Sequence, residues 1–286
     1  MSNFASPVSR RKFLATSAAG AATLAGISSA SAADADPYGG FKMGVQSYSL
    51  RGFDAVTALK HTKTLGLKYW EAYPKHVPMG TLPDHVAKQR KMLADAGVQL
   101  IAYGVVGFDG NENKAREAFD FAKAMGIVSL SANPKKDNKT FDMLDKLCEE
   151  YQVAIAIHNH GPNALYDKIS DTVDIVKDRH PLIGGCVDTG HYLRSDEEPV
   201  EAIERLGKRT FGVHLKDVKT VTEDGKSKKH FKILGEGDLD VLGCLKALKK
   251  LNYQNCLSLE YEENPSNPLS DIEVCLKTVR DAVAKL

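Results

Sequence analysis

The stretch Ala154-Ile155-Ala156-Ile157-His158-Asn159-His160-Gly161 decides how this chain is read. A short apolar run ends abruptly in imidazole and amide groups, and a glycine turns the chain away. Three later runs do the same. Ile183–Asp188 leads into Thr189-Gly190-His191, Phe211–His214 into Leu215-Lys216-Asp217, and Cys256–Glu260 into Tyr261-Glu262. Short apolar runs bounded by turn residues fit strands buried on both faces. Polar groups gathered at their C-terminal ends fit a parallel barrel with its site at that face.

Outward from this stretch the alternation continues. After residue 41, short apolar runs and longer amphipathic ones follow each other in eight pairs. Strands are predicted at Lys42–Ser47, Tyr69–Tyr73, Gln99–Val105, Ile127–Ser131, Ala154–His158, Ile183–Asp188, Phe211–His214 and Cys256–Glu260. Helical patterns occupy Asp54–Leu65, Pro83–Ala96, Asn113–Met125, Phe141–Tyr151, Tyr166–Lys177, Val200–Leu206, Leu239–Leu251 and Asp271–Leu286. Ala118, Phe121, Ala122 and Met125 show the three- and four-residue steps of a helix face. Gly66, Gly97 and Gly126 stand where helices stop. Eight strand–helix repeats in about 250 residues predict an α/β fold, a single-domain (β/α)8 TIM barrel over 42–286. No strand is followed by a glycine-rich phosphate loop, so no nucleotide site is expected. Asp224-Gly225 predicts a hairpin between residues 216 and 232. Lys226, Lys228 and Lys229 are expected at its solvated tip.

The N-terminus reads differently. Arg10-Arg11-Lys12 precedes an apolar run of small residues from Ala15 to Ile27, and Ala30-Ser31-Ala32 follows. That order predicts a twin-arginine signal peptide over 1–32, a linker over 33–41, and a periplasmic or secreted product. The apolar run is too short and too rich in small residues to span a bilayer, so no membrane anchor is expected. Without the signal, 35 basic side chains face 37 acidic ones. That balance gives no electrostatic footprint for nucleic acid. The five cysteines are widely spaced and lie in apolar stretches, which fits buried thiols better than a zinc ribbon or a disulfide framework.

The polar strand ends carry the chemistry. The last four strands each end in His, Asp or Glu, and Glu71 ends the second. Such groups converging on one barrel mouth would repel or desolvate each other without a shared partner. A divalent metal (Mn²⁺, Mg²⁺, Co²⁺ or Zn²⁺) is the expected partner. Taken singly, each group also has a plain structural reading: Asp188 caps a helix, and Glu260 pairs with a lysine.

The order Glu71, His158-Asn159-His160-Gly161, Asp188-Thr189-Gly190-His191, His214-Leu215-Lys216-Asp217, Gly235-Glu236-Gly237 and Leu259-Glu260 resembles the xylose-isomerase-like barrel superfamily. The likeness runs over roughly residues 42–286. It implies a divalent metal held by His158, Asp188, His214 and Glu260. It also implies a substrate-binding His191, and Lys216 near a position where family members contact substrate hydroxyls or phosphate. The ketose epimerases of that superfamily carry Glu where this chain has His158, and pair it with the last-strand Glu.

The expected activity is therefore metal-dependent isomerisation or epimerisation of a sugar or keto sugar. A proton beside a carbonyl would be moved by Glu260 or His160, with Lys216 steadying negative charge and Glu71 and His191 orienting hydroxyls. Elimination from a 3-keto glycoside shares the first half of that reaction. A non-catalytic sugar receptor is the alternative from another class, and phosphoester hydrolysis fits the near-neutral charge poorly. A small-molecule substrate is the expected partner, and the sequence leaves a homo-oligomer open.

Overall fold

A computed structural model describes residues 36–286. Its barrel strands are β1 (Lys42–Gln46), β2 (Tyr69–Ala72), β3 (Gln99–Phe108), β4 (Ser129–Pro134), β5 (Ala154–His158), β6 (Ile183–Asp188) and β7 (Thr210–Leu215). A hairpin of β8 (Asp217–Glu223) and β9 (Lys226–Lys232) follows, and β10 (Cys256–Leu259) completes the barrel. All eight barrel strands pair in parallel, and β1 closes against β10 with Val45 opposite Leu259. The crossovers carry α1 (Ala55–Thr64), α2 (Pro83–Ala96), α3 (Glu112–Met125), α4 (Asn138–Tyr151), α5 (Ile169–Val176), α6 (Thr189–Arg194), α7 (Pro199–Leu206), α8 (Val241–Lys250) and α9 (Leu269–Val283). The chain is a TIM barrel, as its alternation predicts.

Local chemistry sets the boundaries. Asn111 accepts from Lys114 N and starts α3, a cap that stabilises a helix by about 1 kcal/mol. Gly97 and Gly126 end α2 and α3 at φ of 70° and 74°, where a side chain would be strained. Predicted ends shift where a local competitor wins. The fourth strand begins at Ser129 rather than Ile127, because the residues after Gly126 are still closing the helix: Ile127 N bonds back to Ala122 O. The helix predicted from Tyr166 begins at Ile169, because Asp171 takes the backbone N–H groups of Asp167 and Lys168 and fixes the start there.

The core lies between the barrel and its helices. Phe119 and Phe121 of α3 are fully buried, and truncating either to Ala would destabilise by about 3–5 kcal/mol. All five cysteines are buried and unpaired, as the apolar surroundings imply. The predicted signal (1–32) and the first linker residues (33–35) lie outside the described residues. Residues 36–41 correct the linker reading. Tyr38 and Phe41 are buried in the core, and Arg280 donates to the Tyr38 hydroxyl. No helix among the described residues is long and apolar enough to cross a membrane.

Candidate active site and metal centre

Register brings the four predicted metal ligands together. Asp188 pairs with His214 across β6 and β7, and His158 lies one strand away opposite Cys186. Glu260 follows β10 directly, its N–H bonded to Leu215 O at 3.0 Å. The end of β6 is fixed by Asn159. Its amide donates to Asp188 O and its carbonyl accepts from Asp188 N, at 2.9 and 2.8 Å.

Asp188 does two things at once. Oδ1 accepts from His191 N at 2.8 Å and caps α6, which is the plain structural reading. Oδ2 is fully buried and has no well-directed hydrogen bond, although Lys216 Nζ lies 2.9 Å away. It sits 3.6 Å from both His158 Nε2 and His214 Nδ1, and Glu260 Oε2 is 2.9 Å from the same His214 nitrogen. One atom from each of His158, Asp188, His214 and Glu260 falls within 4.8 Å of all the others. Atoms so clustered match donors placed about 2.0–2.2 Å from a common ion. The buried Oδ2, which lacks a directed hydrogen bond, and the two-imidazole, two-carboxylate donor set both fit a divalent metal. A second grouping replaces the two acids with Cys186. Burial raises that thiol's pKa and keeps it protonated, so it is a poorer donor.

Electrostatics sort the roles. Burial opposes the charge on Lys216, but Asp188, Glu260 and Glu262 surround it, outweigh burial and raise its pKa. It is a permanent ammonium, 2.9 Å from Glu260 and 2.5 Å from Glu262. Burial also opposes ionisation of Glu260, yet Lys216 and His214 pull its pKa down to about 2. A carboxylate held so firmly is a good ligand and a weak base. His191 is pushed down to about 4 by burial, with Lys216 adding to the effect against Asp188. His160 is lowered in the same direction, mainly by burial. Both imidazoles are therefore neutral near pH 7. His160 stands beside the cluster, its ring centre 4.5 Å from that of His158 and 5.4 Å from that of His191.

Glu71 is placed differently from its expected role. It is fully buried in the barrel interior, out of reach of a substrate. Ser131 and Ser258 donate to its two oxygens at 2.5 and 2.9 Å, and His214 Nε2 lies 2.9 Å from Oε2. It faces His214 and is not placed to orient substrate hydroxyls. The lysine-rich hairpin tip needs a similar correction. Lys229 reaches Asp196 at 2.5 Å and the carbonyl of Leu193, which fastens the hairpin to the end of α6.

The cluster opens into a cavity of about 450 Å³ lined by His158, His160, His191, Lys216 and Glu260 together with residues the sequence reading missed. Those are Arg194, Phe231, Glu262, Gln46, Tyr48 and Tyr73. Phe231 had a signal, as the only aromatic in a lysine-rich strand. The Gly235-Glu236-Gly237 motif lies beyond the site. Asp217 gathers it through the N–H groups of Gly235, Gly237 and Leu239 at 2.8–3.0 Å.

A family model described as "Xylose isomerase-like TIM barrel" matches residues 59–278. An inosose dehydratase of Clostridium botulinum (strain Eklund 17B / Type B) is 31% identical over 140 residues, 44% of this chain and 47% of that one. The chain thus spans about half the length of the curated relatives it matches. Among solved structures, an uncharacterized protein from Parabacteroides distasonis shares 27% identity at a TM-score of 0.62, covering 83% of this chain and 97% of that one. The IOLI protein, solved with a zinc atom, shares 19% identity at a TM-score of 0.66, covering 86% and 99%.

Proposed function

We propose that this chain, which belongs to the xylose isomerase-like TIM barrel family, removes a proton beside the carbonyl of a keto sugar or cyclitol with the help of a divalent metal and then releases a β-hydroxyl as water. His158, Asp188, His214 and Glu260 would hold the ion. When bound, such an ion polarises a carbonyl oxygen and offsets the charge of an enolate. Two imidazoles with two carboxylates suit Zn²⁺, Mn²⁺ or Co²⁺ better than the oxygen-seeking Mg²⁺. The zinc named for the IOLI structure is in keeping with that choice.

The remaining residues supply the proton chemistry. His160 is uncharged, lines the cavity and has no structural side-chain hydrogen bond among the described residues, so it can accept the carbon-bound proton. The C–H electron pair becomes the new C=C bond as the β C–O bond breaks. The proton on His160 leaves with the departing hydroxyl, so one water is lost and the imidazole is restored. Lys216 cannot be the base, because it stays charged, and it steadies the oxyanion instead. His191 orients a substrate oxygen.

The observation that favours elimination over epimerisation is that the cavity's basic groups other than His160 are already engaged. Epimerisation by two bases needs a second free base, and the other candidates are committed. His158 and Glu260 both belong to the ligand cluster, and despite burial Lys216 and His214 lower the Glu260 pKa to about 2, which makes it a weak base. The dehydratase name of the Clostridium relative agrees with this branch. Incubating the metal-loaded protein with an inosose in D2O tests it. Loss of water supports the proposal, deuterium in an epimer with no dehydration returns the isomerase reading, and binding without exchange returns the receptor reading.

We also infer export. Arg10, Arg11 and the Ala30-Ser31-Ala32 site support passage through the twin-arginine route, which carries folded proteins and would let the metal be loaded beforehand.

A further inference from the structure

Arg194 stands apart from every other cation near the site. It ends α6 and lines the cavity half-buried, yet no carboxylate is paired with it among the described residues. Lys216 has three carboxylates within 2.9 Å. Arg51 spends its guanidinium on the carbonyls of Tyr48 and Glu262. Arg194 makes one side-chain hydrogen bond, from Nη1 to Nδ1 of the neutral His191 at 3.1 Å. Nε and Nη2 make none among the described residues.

Its niche is built for it. Gly161, in the turn after β5, leaves the space the guanidinium fills. A Cβ there would lie 2.7 Å from Nη1 and 2.8 Å from the guanidinium carbon. On the other side stands Phe231, its ring centre 5.4 Å from that carbon, within cation–π range. Phe231 sits on β9, and β9 is fastened to the end of α6 through Lys229 and Asp196. A guanidinium fixed in this way, half out of water and without an acid, is preorganised for an anion delivered by the ligand.

We propose that Arg194 is the binding site for a carboxylate carried by the substrate, so that the preferred substrate is an acidic keto sugar or keto ring rather than a neutral one. This rests on the sugar-modifying reading above and adds the chemical class. A guanidinium presents parallel N–H donors that match the two carboxylate oxygens, whereas the Lys216 ammonium is a point charge with no such fork.

Binding of D-glucuronate and D-glucose, which differ at one carbon, is measured by calorimetry on the metal-loaded protein. The wild type binds glucuronate at least tenfold tighter. Arg194→Leu removes the preference. Arg194→Lys keeps part of it, and Gly161→Ala, which leaves the charge but displaces it, reduces it. Metal content stays constant across all four proteins, which separates this contact from carboxylate binding at the metal. Equal affinities in the wild type, no measurable glucuronate binding, or a preference that survives Arg194→Leu overturns the proposal. Failure to exchange or dehydrate both an inosose and an acidic keto ring would instead count against the elimination reading and leave the carboxylate preference standing.

Discussion

His214 Nε2 lies 2.9 Å from Glu71 Oε2 at the buried floor of the site, so one face of the imidazole is committed to a carboxylate and the other is turned to the ligand cluster. Burial opposes charging His214, but Cys186, Glu71 and Glu260 outweigh it and raise its pKa well above the usual value. In the presence of a metal, Nδ1 would be the donating atom and Nε2–H would face Glu71.

That relationship makes Glu71 testable without substrate. A carboxylate that orients a metal-ligating histidine is worth about 10–100-fold in metal affinity. Glu71→Gln keeps the shape and removes the charge, so its metal affinity falls by that factor while the circular dichroism remains native. Unchanged affinity would show that Glu71 only fills space.

His160→Gln separates turnover from binding. Metal content stays at the wild-type level, and the dehydration rate falls by about 10²–10⁴, the usual worth of a general base. The pH profile gives an independent reading. The His160 pKa is depressed below 6.5, so the neutral, active form persists under mild acid, and activity is lost only as pH falls through that lowered value. The acid limb therefore lies below pH 6.5 and disappears in the variant. Near-wild-type rates would remove His160 from the chemistry, and a loss of metal would make it a ligand.

The cysteines predict a silent surface. Burial pushes Cys148, Cys256 and Cys275 up to about 12, and Cys186 and Cys244 upward as well. The native protein reacts with no thiol reagent over minutes, and five thiols titrate after denaturation without reductant. Fewer than five would reveal a disulfide.

Much of this was legible because barrel strands carry their meaning at one end. Four consecutive runs ending in His158, Asp188, His214 and Glu260 pointed to both the fold class and the cluster, although the alignment of Asp188 with His214 also needs a register shift between Gly185 and Cys186 that the sequence does not announce. Burial is what sequence does not display. Glu71 looks like its neighbours on paper, yet it points into the barrel rather than the mouth, so its partner is an imidazole and not a substrate. Arg194 was hidden for another reason. It belongs to a short helix that depends on Asp188 as its cap, and its significance lies in the acid it lacks. Lys229 resembled any solvated lysine until the hairpin folded back onto α6.

Export has its own test. Replacing Arg10 and Arg11 together with Lys leaves unprocessed precursor in the cytoplasm, seen as a larger band in the cell fraction. Normal processing of the double variant would contradict the twin-arginine reading.

Metal analysis of the purified chain reaches the central claim most directly. The account predicts one divalent ion per chain in the wild type and none in Asp188→Ala, whose circular dichroism stays native. Chelation should lower the melting temperature of the wild type alone, because an ion at a hundred times its dissociation constant stabilises by about 2.7 kcal/mol. A metal-free wild type prepared with metal present, or full occupancy in Asp188→Ala, would contradict it.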